Sequence, residues 1–232
     1  SMNILYLYQA GLTLGQKEFY LDTDKATVDI REAYKKHLIK MFQLFGFNAA
    51  QAKAKGEAVL RFETALAKFS KSSTELRDVE ANYNKMTLAQ FKAKYPNLPV
   101  EALLNAEGIK SAYFQTLVVG QPAFFAGLNK LVTTWNLADR KAYMQWSVIN
   151  SSTGYLSSAV EAEHFDFFGK TMRGKKENFP LWKRATSQVE SVMGEALGRI
   201  YCERFFPASS KTRMEELVKN LQLALAERIK DQ

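Results

Sequence analysis

The sequence predicts a mainly α fold, a compact multi-helix lobe with a minor two-stranded β element. Three observations carry that prediction. Apolar residues recur at spacings of three and four along most of the chain, the period of a helix with one buried face. Two short stretches, residues 3–8 (NILYLY) and 113–119 (YFQTLVV), are instead aromatic or β-branched and lie beside glycines, as strands do. Hydrophobic residues make up 47% of the 232, enough for a substantial core, yet no apolar run approaches the ~20 residues of a membrane span.

In chain order, residues 3–8 read as a strand or an extended lead-in. Thr23 or Asp24 can cap the first long helix, whose apolar face is Ile30, Tyr34, Leu38, Met41 and Phe45 and which Gly46 ends. Asn48 caps the next, with Val59, Phe62, Leu66 and Phe69 as its stripe. The link is so short that the two helices are expected to pack antiparallel. Residues 75–82 are charged and fit a short solvent-facing helix. Thr87 reads as the cap of a short helix that ends before Pro96, and another short helix surrounds Leu103 and Leu104. The second strand, 113–119, is expected to pair with the first.

Residues 121–135 form a helix, and Asn136 caps its successor. Ala142, Trp146, Ile149, Thr153, Leu156 and Val160, then His164 and Phe167, continue at helical spacing, over ~40 Å if straight. The stretch from Trp182 to Phe206 is the one around which the chain is expected to be organised. Trp182, Ala185, Val189, Val192, Ala196 and Ile200 give it an apolar face. Gly194 and Gly198 stack one turn apart, which predicts another backbone packing against them, each glycine costing ~1 kcal/mol relative to alanine. Pro207 stops this helix and Ser209 caps the last, faced by Met214, Leu217, Leu221, Ala224 and Arg228. With no repeat or linker dividing it, residues 1–232 read as a single helical domain. The opening SMNILYLYQ lacks a secretory signal, and the piece is expected to be excised from a longer chain.

The inventory of reactive groups excludes several chemistries. One cysteine, Cys202, forms no internal disulfide and reads as a buried, inert thiol. The net charge of +8 (32 basic, 24 acidic residues) is densest at Lys170, Arg173, Lys175 and Lys176, followed by Lys183 and Arg184. No nucleic-acid-binding motif accompanies this patch, so it reads as a solvated loop and helix face and no nucleic-acid partner is expected. The two histidines, His37 and His164, read as structural, the first partly exposed and the second in the core. Glu161, Glu163 and Asp166 point around different helix faces, so no metal site is expected in this chain. There is no P-loop, G-x-G-x-x-G or G-x-S-x-G.

Three strings carry a family resemblance. They are Leu14-Gly15 followed by Phe19-Tyr20-Leu21; Tyr83-Asn84-Lys85-Met86-Thr87 continuing Leu-Ala-Gln; and Trp182-Lys183-Arg184 with Gly194-Glu195-Ala-Leu-Gly198-Arg199-Ile-Tyr201. Together they resemble the neprilysin and endothelin-converting-enzyme family of zinc metallopeptidases, in particular bacterial endopeptidases of the oligopeptidase type. The resemblance runs from about Leu12 to Ile229.

Members of that family enclose a zinc-containing chamber between a catalytic lobe and a mostly helical second lobe. The resemblance implies that this chain is most of the second lobe and the helix leading out of it, with the catalytic lobe of the same polypeptide as partner and oligopeptides as substrates. It implies zinc in that other lobe and no cofactor here. The family's His-Glu-x-x-His, its Asn-Ala-x-Tyr/Phe and its late acidic motif are all absent, so no catalytic residue carries over. The signature residues Tyr83, Asn84, Lys85, Met86, Thr87, Trp182, Lys183, Arg184, Gly194, Glu195, Gly198, Arg199 and Tyr201 are expected to be structural. Thr186 stands where extracellular animal members have a disulfide cysteine. The resemblance implies a bacterial, extracytoplasmic protein, with a cytoplasmic one as the alternative. Without the resemblance, the sequence also fits a free-standing helical interaction module.

Overall fold

The computed structural model describes residues 4–230, so Asn3 of the first predicted strand lies outside the described residues. Ten α-helices and a small sheet are described, and the fold is mainly α. Contacts divide the chain into two units, Ser1–Glu177 and Asn178–Gln232.

In the first unit, β1 (Leu5–Leu7) pairs in parallel with β3 (Thr116–Val119), placing Tyr6 opposite Val118. A third strand, β2 (Asn84–Thr87), pairs antiparallel on the far side of β3, with Lys85 opposite Val118. The sheet thus has three strands rather than two. Asn84-Lys85-Met86-Thr87 carries one apolar side chain, so it lacks the alternation that marks a strand. It pairs because β3 presents a free edge. Leu117, Val118 and Val119 of the central strand are fully buried. A β-carbon on Gly120 would lie 2.7 Å from the Tyr8 ring, so glycine lets the end of β1 pass this close.

The helices follow from their caps and stripes. Asp24 accepts from the Thr27 amide and starts α2 (Lys25–Leu44). Gly46, at φ +85°, turns the chain. Asn48 and Gln51 form a reciprocal capping box that starts α3 (Ala49–Ala67). Lys35 pairs with Glu57 and Tyr34 with Glu63, on opposing positions of antiparallel helices α2 and α3. After α1 (Glu18–Leu21), α4 (Leu88–Lys94), α5 (Val100–Ala106) and α6 (Pro122–Thr134), Asn136 caps α7 (Leu137–Ser152) by accepting from the Asp139 amide.

The long run beyond Ala142 is not one helix. It tightens to a 3-10 turn at Thr153–Tyr155, extends at Leu156 (φ −102°, ψ −172°), and restarts as α8 (Ser158–His164), which runs into a π-helical stretch, Phe165–Thr171. Ser151, Ser152, Thr153 and Gly154 are weak helix formers, and they concentrate at the break. Val160 and Phe167 stay buried beyond it, so the apolar period survives the interruption.

Two cores result, and α3 serves both. Val59 joins Tyr34, Leu38, Met41, Phe42 and Trp146 in one. Phe62 and Leu66 join Phe91, Tyr95, Leu117 and Phe124 beneath the sheet. The first unit is therefore organised around α3, not around the Trp182 stretch.

The second unit holds α9 (Leu181–Phe205) and α10 (Ala208–Lys230), and among their described residues none is buried. This corrects several expectations. Gly194 meets no foreign backbone, its nearest contact being the Glu190 side chain at 3.9 Å, and Gly198 has nothing within 4 Å. Cys202 is exposed, not buried. Met193 departs from helical geometry (φ −124°, ψ 21°), so the stretch is kinked beside Gly194. The Pro207 carbonyl, rather than Ser209, opens α10 by accepting from the Ser210 and Lys211 amides.

The cap of α4 gives a direct check on local structure. The Thr87 hydroxyl accepts from the Gln90 amide at 3.1 Å while the Gln90 side chain accepts from the Thr87 amide at 2.8 Å. Thr87→Ala should lower stability by about 1 kcal/mol in urea denaturation; an unchanged midpoint would show the cap to be idle.

Candidate functional site

The Tyr83–Thr87 string lies on β2 and at its edges. Tyr83 is 50% exposed, and its ring stands 6.5 Å from that of Tyr6, which stacks on Tyr8 at 5.8 Å. Asn84 donates to the Ala81 carbonyl at 3.2 Å, Lys85 points outward, Met86 packs against the core beneath the sheet, and Thr87 caps α4. The string joins the sheet to α4 and presents an aromatic outer face, with no acid–base pair in it.

The most tightly built polar cluster is one that the sequence reading missed. Glu63, on α3, is fully buried and accepts from Thr13 Oγ1 at 2.6 Å, Tyr20 Oη at 2.8 Å and Tyr34 Oη at 2.9 Å. Trp146 Nε1 in turn donates to Thr13 Oγ1 at 2.9 Å, and the Leu14 amide donates to Tyr20 Oη at 3.0 Å. Burial pushes the Glu63 carboxyl up to about 7, against the opposing pull of the three hydroxyls. The same burial, with Glu63 beside them, raises both Tyr20 and Tyr34. The cluster ties the segment before α1 to α1, α2, α3 and α7. Its sequence signal is a glutamate between Phe62 and Leu66 on a helix face that is otherwise apolar.

His37 corrects another expectation. It is 2% exposed, not partly exposed, and its Nδ1 lies 3.0 Å from Glu163 Oε1. Its ring stacks on Phe167 at 4.9 Å and meets Trp146 edge-on at 5.6 Å. Glu163 therefore faces this histidine. His164 is half-buried rather than in the core; its ring lies tilted against that of Phe168 at 4.6 Å, and desolvation, then His37 and Arg173, hold it down at about 4. Elsewhere Arg61 grips Asp139 through Nε (3.2 Å) and Nη2 (3.0 Å); burial pushes Asp139 up, but Arg61 and Asn136 outweigh it and leave the carboxyl below its ordinary range. Among the described residues no three His, Cys, Asp or Glu side chains are grouped to hold a metal ion, so the residues present do not fit a zinc site.

The remaining signature residues lie in the second unit. Lys183 Nζ sits 5.4 Å from the centre of the Trp182 ring, and Arg184 Nε donates to the Phe179 carbonyl at 2.9 Å. Arg199 pairs with Glu203 at 3.0 Å, and the Tyr201 and Phe205 rings lie 5.4 Å apart. Trp182 and Val192, at 65% and 75% exposure, are representative of an apolar face left open along α9, and Leu217, Leu221 and Leu225 leave α10 equally open. No described helix is long and apolar enough to cross a membrane.

Comparison with known proteins accounts for this combination. The family model of the N-terminal region of peptidase family M13 matches residues 1–232. The endothelin-converting enzyme homolog of Locusta migratoria is 27% identical over 99% of this chain and 32% of its own length, and endothelin-converting enzyme 1 of Homo sapiens is 24% identical over 97% and 30%. The inhibitor complex of the Mycobacterium tuberculosis zinc metalloprotease Zmp1 superposes with a TM-score of 0.85 at 30% identity, over 94% of this chain and 33% of that one. PepO of Lactobacillus rhamnosis shares the fold at a TM-score of 0.76 and 20% identity. The mainly helical fold and its sequence strings are thus those of a metallopeptidase N-terminal region. The chain belongs to peptidase family M13. It spans about a third of the length of the curated relatives it matches.

Proposed function

We propose that this chain is the helical, non-catalytic lobe of a zinc metalloendopeptidase, walling the substrate chamber and limiting entry to oligopeptides. The observation that carries the proposal is the open apolar face of α9 and α10 in a chain one third as long as its relatives. Exposed apolar surface on this scale marks an interaction site, and the remaining polypeptide is the partner that would cover it. The zinc and the residues acting on the peptide bond belong to that remainder, since the residues described here do not assemble a metal site. In this reading Tyr83–Thr87 fix the sheet edge, while Trp182, Gly194, Gly198 and Tyr201 seat α9 against the catalytic lobe. Two interlocking cores give the wall rigidity. Closure of the lobes would exclude water from the reacting centre and gate turnover.

The test uses the full-length parent with an engineered disulfide joining the two lobes. Peptide cleavage should fall under oxidising conditions and recover on reduction. Unchanged cleavage of short peptides by the locked form would refute gating, and digestion of folded proteins would refute the enclosing role.

A further inference from the structure

A groove of about 660 Å³ follows one face of α3 in the first unit. Its charged lining is Arg31 and Lys35 from α2 and Arg61 and Lys68 from α3, against the single carboxylate of Glu57. Lys35 pairs with Glu57 at 3.0 Å, and Arg61 pairs with Asp139 at 3.0 Å. Arg31 spends Nη1 and Nη2 on the carbonyls of Phe19 and Asp22, and among the described residues neither it nor Lys68 meets a carboxylate. Two positive charges are thus left over in one groove. Arg61 holds Asp139 through Nε and Nη2 alone, so its Nη1 also makes no hydrogen bond among the described residues. The excess is felt at Glu57. Its carboxyl is held below the ordinary range by the hydrogen bond from Lys35 and, against desolvation, by the charges of Lys35, Lys53 and Arg61.

We infer that this groove binds an acidic peptide segment in extended form, its carboxylates spaced to meet the cations along α3. The spacing of the cations argues for a chain rather than a small anion. Lys68 follows Arg61 by two helical turns, ~10 Å along the axis, too far for one carboxylate to reach both. Three residues of extended peptide cover the same ~10 Å. Between those two cations the lining is Thr64 and Ala65, and the Thr64 hydroxyl is turned back onto the Leu60 carbonyl at 2.7 Å. These short side chains keep the floor low where a main chain would lie, and Leu60 and Trp135 offer it apolar contact. The groove is open to water on one side, so peptide amides facing outward keep their hydration. A nucleic-acid strand suits the site less well. It is charged at every nucleotide and would bring phosphates against Glu57 and Asp139, whereas a peptide carries acidic residues only where the cations stand. The inference does not rest on the peptidase reading, because the groove lies wholly in the first unit and its test measures binding, not cleavage.

The experiment titrates the ¹⁵N-labelled 232-residue chain with short peptides blocked at both ends. One carries glutamates at its first and fourth positions, a second carries glutamines there and a third lysines, and a fourth places the two glutamates side by side. A single-stranded oligothymidylate serves as the competing polyanion. The indole N–H cross-peak of Trp135, in the groove wall, reports binding, while that of Trp182 on α9 reports adsorption elsewhere. The spaced glutamate peptide should move the Trp135 signal saturably and leave Trp182 in place, and added salt should weaken it because exposed charges are screened. The glutamine and lysine peptides should not saturate, and the adjacent glutamates should bind more weakly than the spaced pair. Lys68 is exposed and without a partner, so its variants leave the fold intact. Lys68→Gln should weaken the spaced peptide about threefold and Lys68→Glu about tenfold. Lys175→Gln combined with Lys176→Gln, in the basic loop outside the groove, should leave its affinity as it was. The inference is overturned if glutamine or lysine peptides match the spaced glutamates, if adjacent glutamates bind as well as spaced ones, or if Lys68→Glu has no effect. It is equally overturned if the loop variant weakens binding as much as Lys68→Glu, if the oligothymidylate saturates Trp135 at lower concentration than the peptide, or if no peptide gives a saturable shift in the millimolar range.

Discussion

Glu63→Gln should remove one component of the pH dependence of stability, a fall with rising pH between about 4.5 and 7 that the buried carboxyl contributes. The buried carboxyl titrates at about 7, against 4.5 for an ordinary glutamate. Between those values the unfolded chain has released a proton that the folded chain still holds, so stability falls as pH rises and levels off above pH 7. A displacement of this size corresponds to about 3 kcal/mol across the window. His164 works in the opposite sense. Its folded value is down at about 4, so the unfolded chain binds the extra proton, and stability rises with pH through the interval up to 6.5. Subtracting the Glu63→Gln profile from that of the wild type isolates the Glu63 contribution. Glutamine keeps the size of the side chain, and the Thr13, Tyr20 and Tyr34 hydroxyls can rotate to suit its amide. Glu63→Ala is the severe variant. It leaves those three hydroxyls without their common acceptor in a dry interior, each costing about 1–3 kcal/mol. Urea denaturation at four pH values checks both variants, and parallel wild-type and glutamine profiles would show that Glu63 does not titrate with folding.

How far the sequence reveals this structure depends on whether a feature is local. Asp24, Asn48, Thr87 and Asn136 could be read as caps because a cap is set by a few neighbouring residues, and each does accept from an amide three residues on. The first and third strands were legible for the same reason. β2 was not, because what makes Asn84–Thr87 a strand is the free edge of β3, about thirty residues away. The break at Thr153–Leu156 was hidden because the apolar spacing continues through it, and only the clustering of serines, threonine and glycine hinted at an interruption. His37 looked half exposed among Lys35, Lys36 and Lys40, yet α8 and the π-helical stretch supply Glu163 and Phe167 to cover it. The apolar faces of α9 and α10 show the opposite failure. Helical spacing identifies a face that wants burial but not what buries it, and among the described residues nothing does.

Trp146→Ala should be the most damaging single change in the first unit, with a loss of about 3–5 kcal/mol. Trp146 is the largest of the fully buried side chains and shows 0% exposure. Its ring meets Tyr34 edge-on at 6.3 Å and His37 edge-on at 5.6 Å, and lies 6.5 Å from Phe42. Truncation therefore opens a cavity bounded by rings on three sides, which cannot collapse without moving α2 against α7. It also removes the indole donor from Thr13, whose hydroxyl donates onward to Glu63 at 2.6 Å. Trp146→Phe separates the two effects, since it keeps most of the packing and loses the donor, and it should cost about 1 kcal/mol for the hydrogen bond in addition to the change in shape. Against the marginal stability of a typical domain, about 5–15 kcal/mol, the alanine variant loses a large fraction of the whole. Fluorescence gives an independent readout, because Trp146 is the one fully buried indole of three, Trp135 being half-buried and Trp182 exposed. The blue-shifted emission should disappear in the variant while that of Trp135 and Trp182 remains. Coupling to the Glu63 cluster is tested by a double-mutant cycle of Trp146→Phe with Thr13→Ala: the two losses should sum to more than the double variant shows, because both break the same hydrogen bond. Strict additivity, or a Trp146→Ala midpoint within about 1 kcal/mol of wild type, would mean that this indole does not tie the core to the cluster.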